Sequence, residues 1–207
     1  MLNANAKVLV KYMPEEAALL ISDWIDKYRC EFKISKSRQS KFGDYRAPFQ
    51  GKGHRISVNH NLNKYAFLVT TVHEFAHLVT YNQWQHKVKP HGIEWKNNFK
   101  KMMLPFFEMR IFPPDIESAV ASYLKNPAAS SCSDARLFKT LRSYDTKDES
   151  MVSIEQVATN QTFSISGGRV FKKISKNRTR YRCIEVETGK VYLFSPLAEV
   201  KVLPQGL

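Results

Sequence analysis

The residue types and spacing at His73, Glu74 and His77 could bind a metal ion and activate water. They form the pattern His-Glu-Phe-Ala-His inside an apolar stretch over 65–79. On a helix, residues four apart lie on one face, so both imidazoles can reach the same ion. Zinc with two such ligands needs a third from the protein and keeps its fourth position for water, whose proton Glu74 is placed to accept. The motif predicts a zinc-dependent hydrolase, with a protease as the leading interpretation.

The same pattern also has a structural interpretation, in which the two histidines are solvated or satisfied within a core. The flanking residues are apolar and often β-branched, which predicts a buried helix. Burying two histidines and a glutamate is costly unless something pairs them. Burial therefore favours the metal site over the structural interpretation.

A third ligand must come from further along the chain. His91 lies between a proline and a glycine, just before a helix predicted to begin near Ile93, so local turn chemistry would hold it in place. His86 lies in a polar run suited to a solvated loop. We predict His91 as the third ligand, with His86 as the second choice. Glu94 is the third choice, the ligand that a glutamate-type zinc enzyme would use.

Hydrophobic periodicity predicts an α+β fold, in which helices pack on a short β-sheet and a small antiparallel β unit follows. The predicted helices cover 14–28, 64–81, 93–103, 114–124 and 134–142. Short strands are predicted at 32–34, near 42–45 and at 54–58, and later at 162–165, 169–171, 180–186 and 191–194. The predicted boundaries are a catalytic domain at 1–125, a linker with a short helix at 126–150, and the β unit at 151–207.

Composition predicts a folded, non-membrane protein. The 207 residues are 43% hydrophobic, and no apolar run approaches the roughly 18 residues that cross a membrane. The first residues lack the pattern of a signal peptide. Three widely spaced cysteines, with no C-x-x-C pair among them, indicate a reducing compartment. We therefore expect a cytoplasmic protein, with association to the nucleoid as an option, and the sequence does not specify an oligomeric state.

The charge predicts an anionic partner. The net charge is +13, which favours nucleic acid first and acidic membrane second. Residues 167–182 contain seven basic residues and no acidic one. We predict these as DNA contacts, with a merely solvated face as the alternative: Arg169, Lys172, Lys173, Lys176, Arg178, Arg180 and Arg182. Phe171 and Tyr181 either stack on unpaired bases or belong to the core of a hairpin, and the core is favoured for Phe171.

From about residue 21 to residue 103 the chain resembles the SprT-like (Spartan-related) metalloprotease family. The segments that carry the resemblance are Lys-Phe-Gly-Asp-Tyr-Arg at 41–46, Gly-His-Arg-Ile-Ser-Val-Asn at 53–59, the motif at 73–77, and His-Gly-Ile-Glu-Trp at 91–95. The resemblance implies one zinc ion held by His73, His77 and His91, with Glu74 as general base. It also implies a minimal zincin-like protease domain, protein substrates, DNA binding, and a DNA repair role in degrading proteins crosslinked to DNA.

The C-terminal part departs from the pattern of many bacterial relatives, which carry a zinc ribbon built on paired cysteines. Tyr-Arg-Cys at 181–183 resembles the start of a ribbon, but Ile-Glu-Val follows and the partner cysteines are missing. We expect a β unit that keeps the ribbon's shape by packing in place of metal. Cys183 is then a core residue, and DNA binding by this unit does not follow from the resemblance.

Two functional alternatives stay open at this stage. One is a DNA-binding protein whose zinc site is structural or vestigial and which has no proteolytic activity. The other is a zinc peptidase or amidase with no link to nucleic acid. The residue that stabilises the oxyanion is also open, and the candidates by residue type are Tyr45, Arg46, His54, Arg55 and Tyr81.

Overall fold

A computed structural model describes residues 3–38, 41–127, 134–145, 151–165 and 167–204. The chain divides into two compact units, Met1–Asp145 and Thr146–Leu207. Each unit has its own cluster of buried apolar side chains. The mixed α+β composition predicted from the sequence is confirmed.

In its described residues the first unit contains six helices and three strands. The helices are α1 (Ala4–Leu9), α2 (Glu15–Lys27), α3 (Lys64–Trp84), α4 (Ile93–Glu108), α5 (Pro114–Lys125) and α6 (Ala135–Arg142). The strands are β1 (Glu31–Ser35), β2 (Gly43–Arg46) and β3 (Arg55–Asn59). None of the described helices is long and apolar enough to cross a membrane.

The three strands form a sheet in the order β1-β3-β2, with β1 parallel and β2 antiparallel to the central β3. Successive side chains of a strand point to opposite faces. Ile56 and Val58 of β3 are buried on the inner face, which α3 covers. Gly43 and Tyr45 of β2 pair with them and share that face. The side chains between these positions lie on the outer face of the sheet.

Helix α3 is apolar around most of its circumference because it lies inside the first unit. The Asn63 side chain caps its start by accepting hydrogen bonds from the backbone N–H groups of Tyr65 (3.1 Å) and Ala66 (3.0 Å). Helix α4 packs along α3, and the Asn98 amide donates to Thr80 Oγ1 at 3.0 Å and to Gln83 Oε1 at 2.9 Å. These bonds fix the start of α4 relative to the face of α3 that carries the histidines.

The second unit is a six-stranded antiparallel sheet in the order β4-β9-β5-β6-β7-β8. Its strands are β4 (Met151–Ser153), β5 (Thr162–Ser164), β6 (Val170–Asn177), β7 (Arg180–Glu185), β8 (Val191–Phe194) and β9 (Glu199–Val202). Phe163, Phe171 and Cys183 are fully or almost fully buried in its core. The prediction that Cys183 is a core residue is confirmed.

The structure extends the predicted elements. The short helix α1 and the strands β4 and β9 are not predicted by periodicity, because each is too short to show a period. Helix α4 continues past a proline at position 105. Of the predicted linker at 126–150, residues 128–133 and 146–150 lie outside the described residues.

Candidate metal centre and active site

Three imidazoles converge at the junction of α3 and α4. His73 and His77 lie one turn apart on α3, and their Nε2 atoms are 3.2 Å apart. His91 Nε2 lies 3.3 Å from His73 Nε2. The possible ligand atoms of the three residues all lie within 4.8 Å of one another. The structure therefore brings together the three histidines predicted as ligands, in a group that could hold a metal ion.

The spacing of the three nitrogens fits zinc. Tetrahedral coordination with Zn–N bonds of about 2.0–2.1 Å places two nitrogen ligands about 3.3 Å apart. Three neutral imidazoles whose Nε2 atoms face one another cannot all donate hydrogen bonds, so a cation between them is the partner that satisfies every lone pair. The donor set and its spacing both fit a structural or catalytic zinc ion.

Burial keeps the three imidazoles neutral. It lowers the pKa of His73 well below 6.5, and the neighbouring His77 and His91 add to the effect. It lowers the pKa of His77 to about 3 and also lowers that of His91. A neutral imidazole offers the lone pair that a metal ligand needs, so the site is ready to coordinate at neutral pH.

A tight turn presents His91. The Gly92 N–H donates to the Lys89 carbonyl at 2.9 Å, and Pro90 and His91 occupy the two central positions. His91 has φ +58°, the left-handed conformation found at the third position of a type II turn. A Cβ on Gly92 would lie 2.9 Å from the Lys89 carbonyl oxygen, so the close approach requires glycine. The backbone turn at 89–92, which ends at the N-cap of α4, thereby orients the ligand.

His86 and Glu94, the second and third choices as ligand, lie outside this group. Among the described residues the metal-competent group contains only the three other histidines. His86 is exposed, and its ring packs edge-on against Tyr81 with 5.2 Å between centroids. Glu94 lies in the first turn of α4.

Glu74 is buried between α3 and the edge strand β2. The backbone N–H of Tyr45 donates a hydrogen bond to its carboxylate. Gly43 lies directly against it: a Cβ at this position would be 2.5 Å from Glu74 Oε1 and 2.8 Å from Thr70 Cγ2. Distances this short do not occur in real structures, so β2 can hold the carboxylate only because position 43 lacks a side chain.

The surroundings of Glu74 favour proton transfer near neutral pH. Burial, reinforced by the nearby Asp44 carboxylate, raises the pKa of Glu74 to about 8, although Lys41, Arg38 and the Tyr45 N–H oppose the rise. A carboxyl group with a pKa close to the working pH can both accept and return a proton. This is the property that the sequence motif requires of a general base.

Polar aromatic residues flank the three imidazoles on the side of β2. The Tyr45 ring lies parallel to the His77 ring, with an interplanar angle of 3° and 6.3 Å between centroids. The Tyr45 hydroxyl and His54 Nδ1 are hydrogen-bonded at 2.9 Å, and Tyr81 packs against both rings. Burial raises the pKa of Tyr45, so its hydroxyl stays protonated and able to donate at neutral pH.

This arrangement divides the five oxyanion candidates into two groups. Tyr45, His54 and Tyr81 form one cluster beside the imidazoles. Arg46 and Arg55 pair across β2 and β3 on the outer face of the sheet, away from that cluster. The two arginines are therefore excluded as oxyanion donors by the pleat of the strands.

The Trp95 indole forms the floor of the site. It is fully buried, and its ring lies 4.6 Å from His73, 5.3 Å from His77 and 4.7 Å from His91, measured between centroids. Contact with all three rings restricts their rotation. Phe99, one turn further along α4, stacks on the other side at 5.1 Å. Aromatic packing thus preorganises the ligand geometry.

Sequence reasoning did not assign roles to Gly43, the Tyr45 N–H or Trp95. Alternation along β2 places Gly43 and Tyr45 on the same face, and that signal is visible in the sequence. Which face meets Glu74 depends on the packing of β2 against a helix about thirty residues later, and no local pattern reports it. Trp95 follows His91 by four residues, but helix α4 begins between them. The spacing therefore does not predict that the two side chains share a helix face.

Two of the seven predicted DNA contacts are engaged within the second unit. Lys173 is buried, and its ammonium donates to the carbonyl oxygens of Ile154 (2.9 Å), Glu155 (3.3 Å) and Val157. Arg169 is hydrogen-bonded and ion-paired to Glu185. The remaining five side chains are exposed on or near the β6–β7 hairpin: Lys172, Lys176, Arg178, Arg180 and Arg182.

The two aromatic residues of this stretch are both buried. Phe171 is 1% exposed and Tyr181 is 8% exposed. Phe171 packs against Phe163 and Phe194, and the Lys173 ammonium lies 4.0 Å from the centre of the Tyr181 ring. Phe171 is a core residue, as favoured from the sequence. The interpretation of Tyr181 as an exposed ring for base stacking is wrong, because alternation along β7 turns it inward.

Substitution of Glu185 by glutamine is expected to reduce the acid sensitivity of the second unit. Hydrogen bonds from Arg169 and then Thr188 lower the pKa of Glu185 to about 2 from an ordinary value of 4.5. The ionised carboxylate therefore stabilises the folded unit above about pH 4.5, and this contribution is lost as the pH falls toward about 2. Hydrogen-exchange protection of β7 and β8, compared at about pH 6 and about pH 3, should fall less in the variant than in the wild type.

The matched control for this prediction is Glu187→Gln, since Glu187 is exposed and lies in the turn that follows Glu185. It should keep the pH dependence of the wild type. An identical loss of protection in wild type and Glu185→Gln would show that the bond between Arg169 and Glu185 does not control acid sensitivity.

Three histidines that could hold a metal ion thus lie beside a buried carboxylate on the same helix, the residue types that a metal-dependent hydrolase uses. Residues 13–114 match the model of the SprT-like family. This matched region therefore belongs to the SprT-like family, whose general description is zinc metalloprotease. The match extends beyond both ends of the resemblance recognised in the sequence. Neither the curated proteins nor the solved structures gave a match to this chain.

Proposed function

We propose that this chain is a zinc-dependent endopeptidase with a zincin-like core that acts on DNA-associated proteins. The observation that carries the proposal is the convergence of three neutral imidazoles beside Glu74, a carboxyl group held by the edge strand of a sheet. Membership of the SprT-like family supports the same chemistry. The three histidines bind the zinc ion, and Glu74 accepts and returns the proton of the attacking water.

The residues divide the work of peptide hydrolysis. His73, His77 and His91 would hold a zinc ion, whose Lewis acidity would lower the pKa of water toward about 7 and favour the ionised form of Glu74. Glu74 accepts the proton of the attacking water and returns it to the leaving amine. The Tyr45 hydroxyl, beside the His77 ring, donates to the developing oxyanion, and His54 holds that hydroxyl in position.

The edge strand β2 provides a place for the substrate backbone. Within the described residues β2 pairs with β3 on one side only. An extended peptide can therefore add to its free side by backbone hydrogen bonds. The inward face of the strand carries Gly43 and Tyr45, so a peptide bound there passes beside Glu74 and the three imidazoles.

DNA association is supported by charge. The net charge of +13 favours polyanions, and five exposed cations lie on or near the β6–β7 hairpin. A protease held on DNA in the cytoplasm would meet protein substrates bound or crosslinked to that DNA. The antiparallel unit then serves as a binding module that needs no metal of its own.

The metal content of the purified chain tests the site. We expect about one zinc per chain by elemental analysis of protein prepared without chelator, and less than about one tenth of that in His73→Ala/His77→Ala, because three ligands are needed for tight binding. His86→Ala is the matched control and should keep its zinc, since His86 lies outside the metal-competent group.

Proteolysis of an unfolded protein, with and without DNA, then separates the functions. Zinc-dependent cleavage that DNA accelerates supports the proposal. Salt-dependent DNA binding with zinc but without cleavage would instead identify a DNA-binding protein with a structural zinc site. Absence of zinc even after its addition would contradict the metal centre itself.

A further inference from the structure

A polar pocket lies on the outer face of the three-stranded sheet, opposite the face that meets α3. Four cationic side chains line it, together with only two carboxylates: Lys33, Arg38, Arg46 and Arg55, with Glu31 and Asp44. The pocket therefore has an excess of two positive charges. It shares no residue with the three-histidine site and contains none of the basic residues of the β6–β7 hairpin.

One carboxylate of the pocket is already paired with a basic side chain of its own strand and with one from the residues before that strand. Asp44 accepts from Lys41 Nζ at 2.7 Å and from Arg46 Nε at 3.0 Å. The Asp44 carboxylate is thus paired with two cations and does not neutralise the other basic side chains of the pocket. The local field of the pocket is positive.

Arg38 is held in a fixed orientation. Its Nε donates to Asn59 Oδ1 at 2.9 Å, and its terminal nitrogens donate to the Ser57 hydroxyl at 3.2 Å and to the Ser57 carbonyl at 3.4 Å. All of these partners are neutral, so they position the guanidinium without cancelling its charge. A preorganised cation of this kind favours an anionic ligand.

Arg55 gives the strongest indication of a missing ligand. In the register of the sheet it lies between Glu31 on β1 and Arg46 on β2, and Arg46 is itself ion-paired to Asp44. Its Nε is buried and has no hydrogen-bond partner in the part of the chain that the structure describes. Buried donors are almost always paired, and an ordered water, an ion or a ligand can supply the partner of an exception. An anion beside Arg55 would give this buried donor a partner.

We propose that this pocket binds a phosphate group of a nucleic-acid backbone. Several guanidinium groups and an ammonium can donate to one tetrahedral oxyanion from different directions, and the Ser57 hydroxyl, which accepts from Arg38, can donate as well. The net charge of the chain favours the polyanion over a single acidic side chain. The inference rests on the DNA association in the proposed function but does not depend on proteolysis.

The position of the pocket would place a bound nucleic acid close to the proposed active site. Strand β2 turns Asp44 and Arg46 toward the pocket and Gly43 and Tyr45 toward Glu74. A nucleic acid bound on the outer face would therefore lie on the opposite side of β2 from the catalytic carboxylate. A protein attached to that nucleic acid would be presented to the free side of β2, where the substrate backbone is proposed to bind.

Binding of a labelled single-stranded oligonucleotide, measured by fluorescence anisotropy over a range of salt, tests the proposal. Lys33→Gln/Arg55→Gln should weaken binding about tenfold at low salt and reduce the slope of log K against log salt by about one to two. Lys7→Gln/Lys11→Gln is the matched control, because it removes two exposed cations of the first unit outside the pocket. The control should change both quantities much less.

Arg180→Gln/Arg182→Gln reports the contribution of the hairpin separately. Zinc content and melting temperature, measured on every variant, identify any general loss of structure. The single variant Lys33→Gln changes an exposed side chain and keeps the test valid if Arg55 is needed for folding. Equal effects of the pocket variant and the Lys7/Lys11 control would overturn the proposal.

Nitrogen-15 NMR with inorganic phosphate examines the pocket directly. Phosphate should shift the Nε–Hε resonance of Arg55 in the wild type and leave the resonances of the hairpin arginines nearly unchanged. A shift of Arg55 without oligonucleotide binding would show a site for small phosphates and overturn the nucleic-acid assignment. If the wild type does not cleave protein but binds the oligonucleotide and shows the Arg55 shift, only the proposed protease activity is contradicted. The failure of one proposal is therefore distinguishable from the failure of the other.

Discussion

Replacing Glu74 by glutamine is expected to leave about one zinc per chain in place and to lower the turnover of an unfolded protein substrate by about 10³-fold. General acid–base catalysis contributes about 10²–10⁴-fold, and a glutamine cannot accept the proton. The amide has nearly the same shape as the carboxyl group, and its oxygen can still accept from the Tyr45 N–H. Turnover and metal content should be measured on the same preparation.

Glu94→Gln serves as the control for this variant. Glu94 lies in the first turn of α4 and is not part of the metal-competent group, so its loss should not change turnover. Retained hydrolysis in Glu74→Gln would refute Glu74 as the base. Loss of zinc in the same variant would show that the carboxylate supports the metal site instead, and the lost activity would then say nothing about proton transfer.

Gly43→Ala is expected to reduce turnover by about 10²-fold although it adds only one methyl group. That methyl group would lie 2.5 Å from Glu74 Oε1 and 2.8 Å from Glu74 Cγ, so the carboxylate or β2 must move. A displacement of about 1 Å in a catalytic group can cost about 10²-fold in rate. The overpacking should also destabilise the unit by about 1–3 kcal/mol. Zinc content should stay unchanged, because the substitution touches no imidazole.

Gly53→Ala is a close control for the alanine substitution. A Cβ at Gly53 has the Arg29 carbonyl oxygen 3.7 Å away as its nearest neighbour, an ordinary contact. This variant should retain full turnover and stability. Wild-type kinetics in Gly43→Ala would show that Glu74 has room to adjust and that β2 does not position it. Steady-state kinetics and thermal unfolding of both variants decide between these outcomes.

The sequence carries much of the site because its elements are local. The two histidines of the motif share a helix face by their spacing alone, and the turn around His91 is encoded by the adjacent proline and glycine. Helix α3 begins at Lys64, the start predicted from the apolar stretch around the motif, and the structure shows that Asn63 caps it. In each case the information needed lies within a few residues.

The local sequence does not specify which element of the fold packs against each face of a strand. The alternation of β2 predicts that Asp44 and Arg46 oppose Gly43 and Tyr45, but the side that meets Glu74 depends on tertiary packing. The same limit explains why Arg46 and Arg55 stayed among the oxyanion candidates. Lys173 shows it again, since a lysine in a basic run is indistinguishable by type from its exposed neighbours until the loop at 154–157 supplies carbonyl acceptors.

The position of Trp95 makes the metal site optically visible. Its indole contacts all three imidazoles, so a paramagnetic metal ion bound by them would lie close enough to quench the indole emission. All three tryptophans of the chain, Trp24, Trp84 and Trp95, lie in the first unit. Intrinsic fluorescence excited at the tryptophan band therefore reports that unit without interference from the antiparallel sheet. Titrating a paramagnetic ion such as Co²⁺ would follow occupancy of the site in real time, with no label attached.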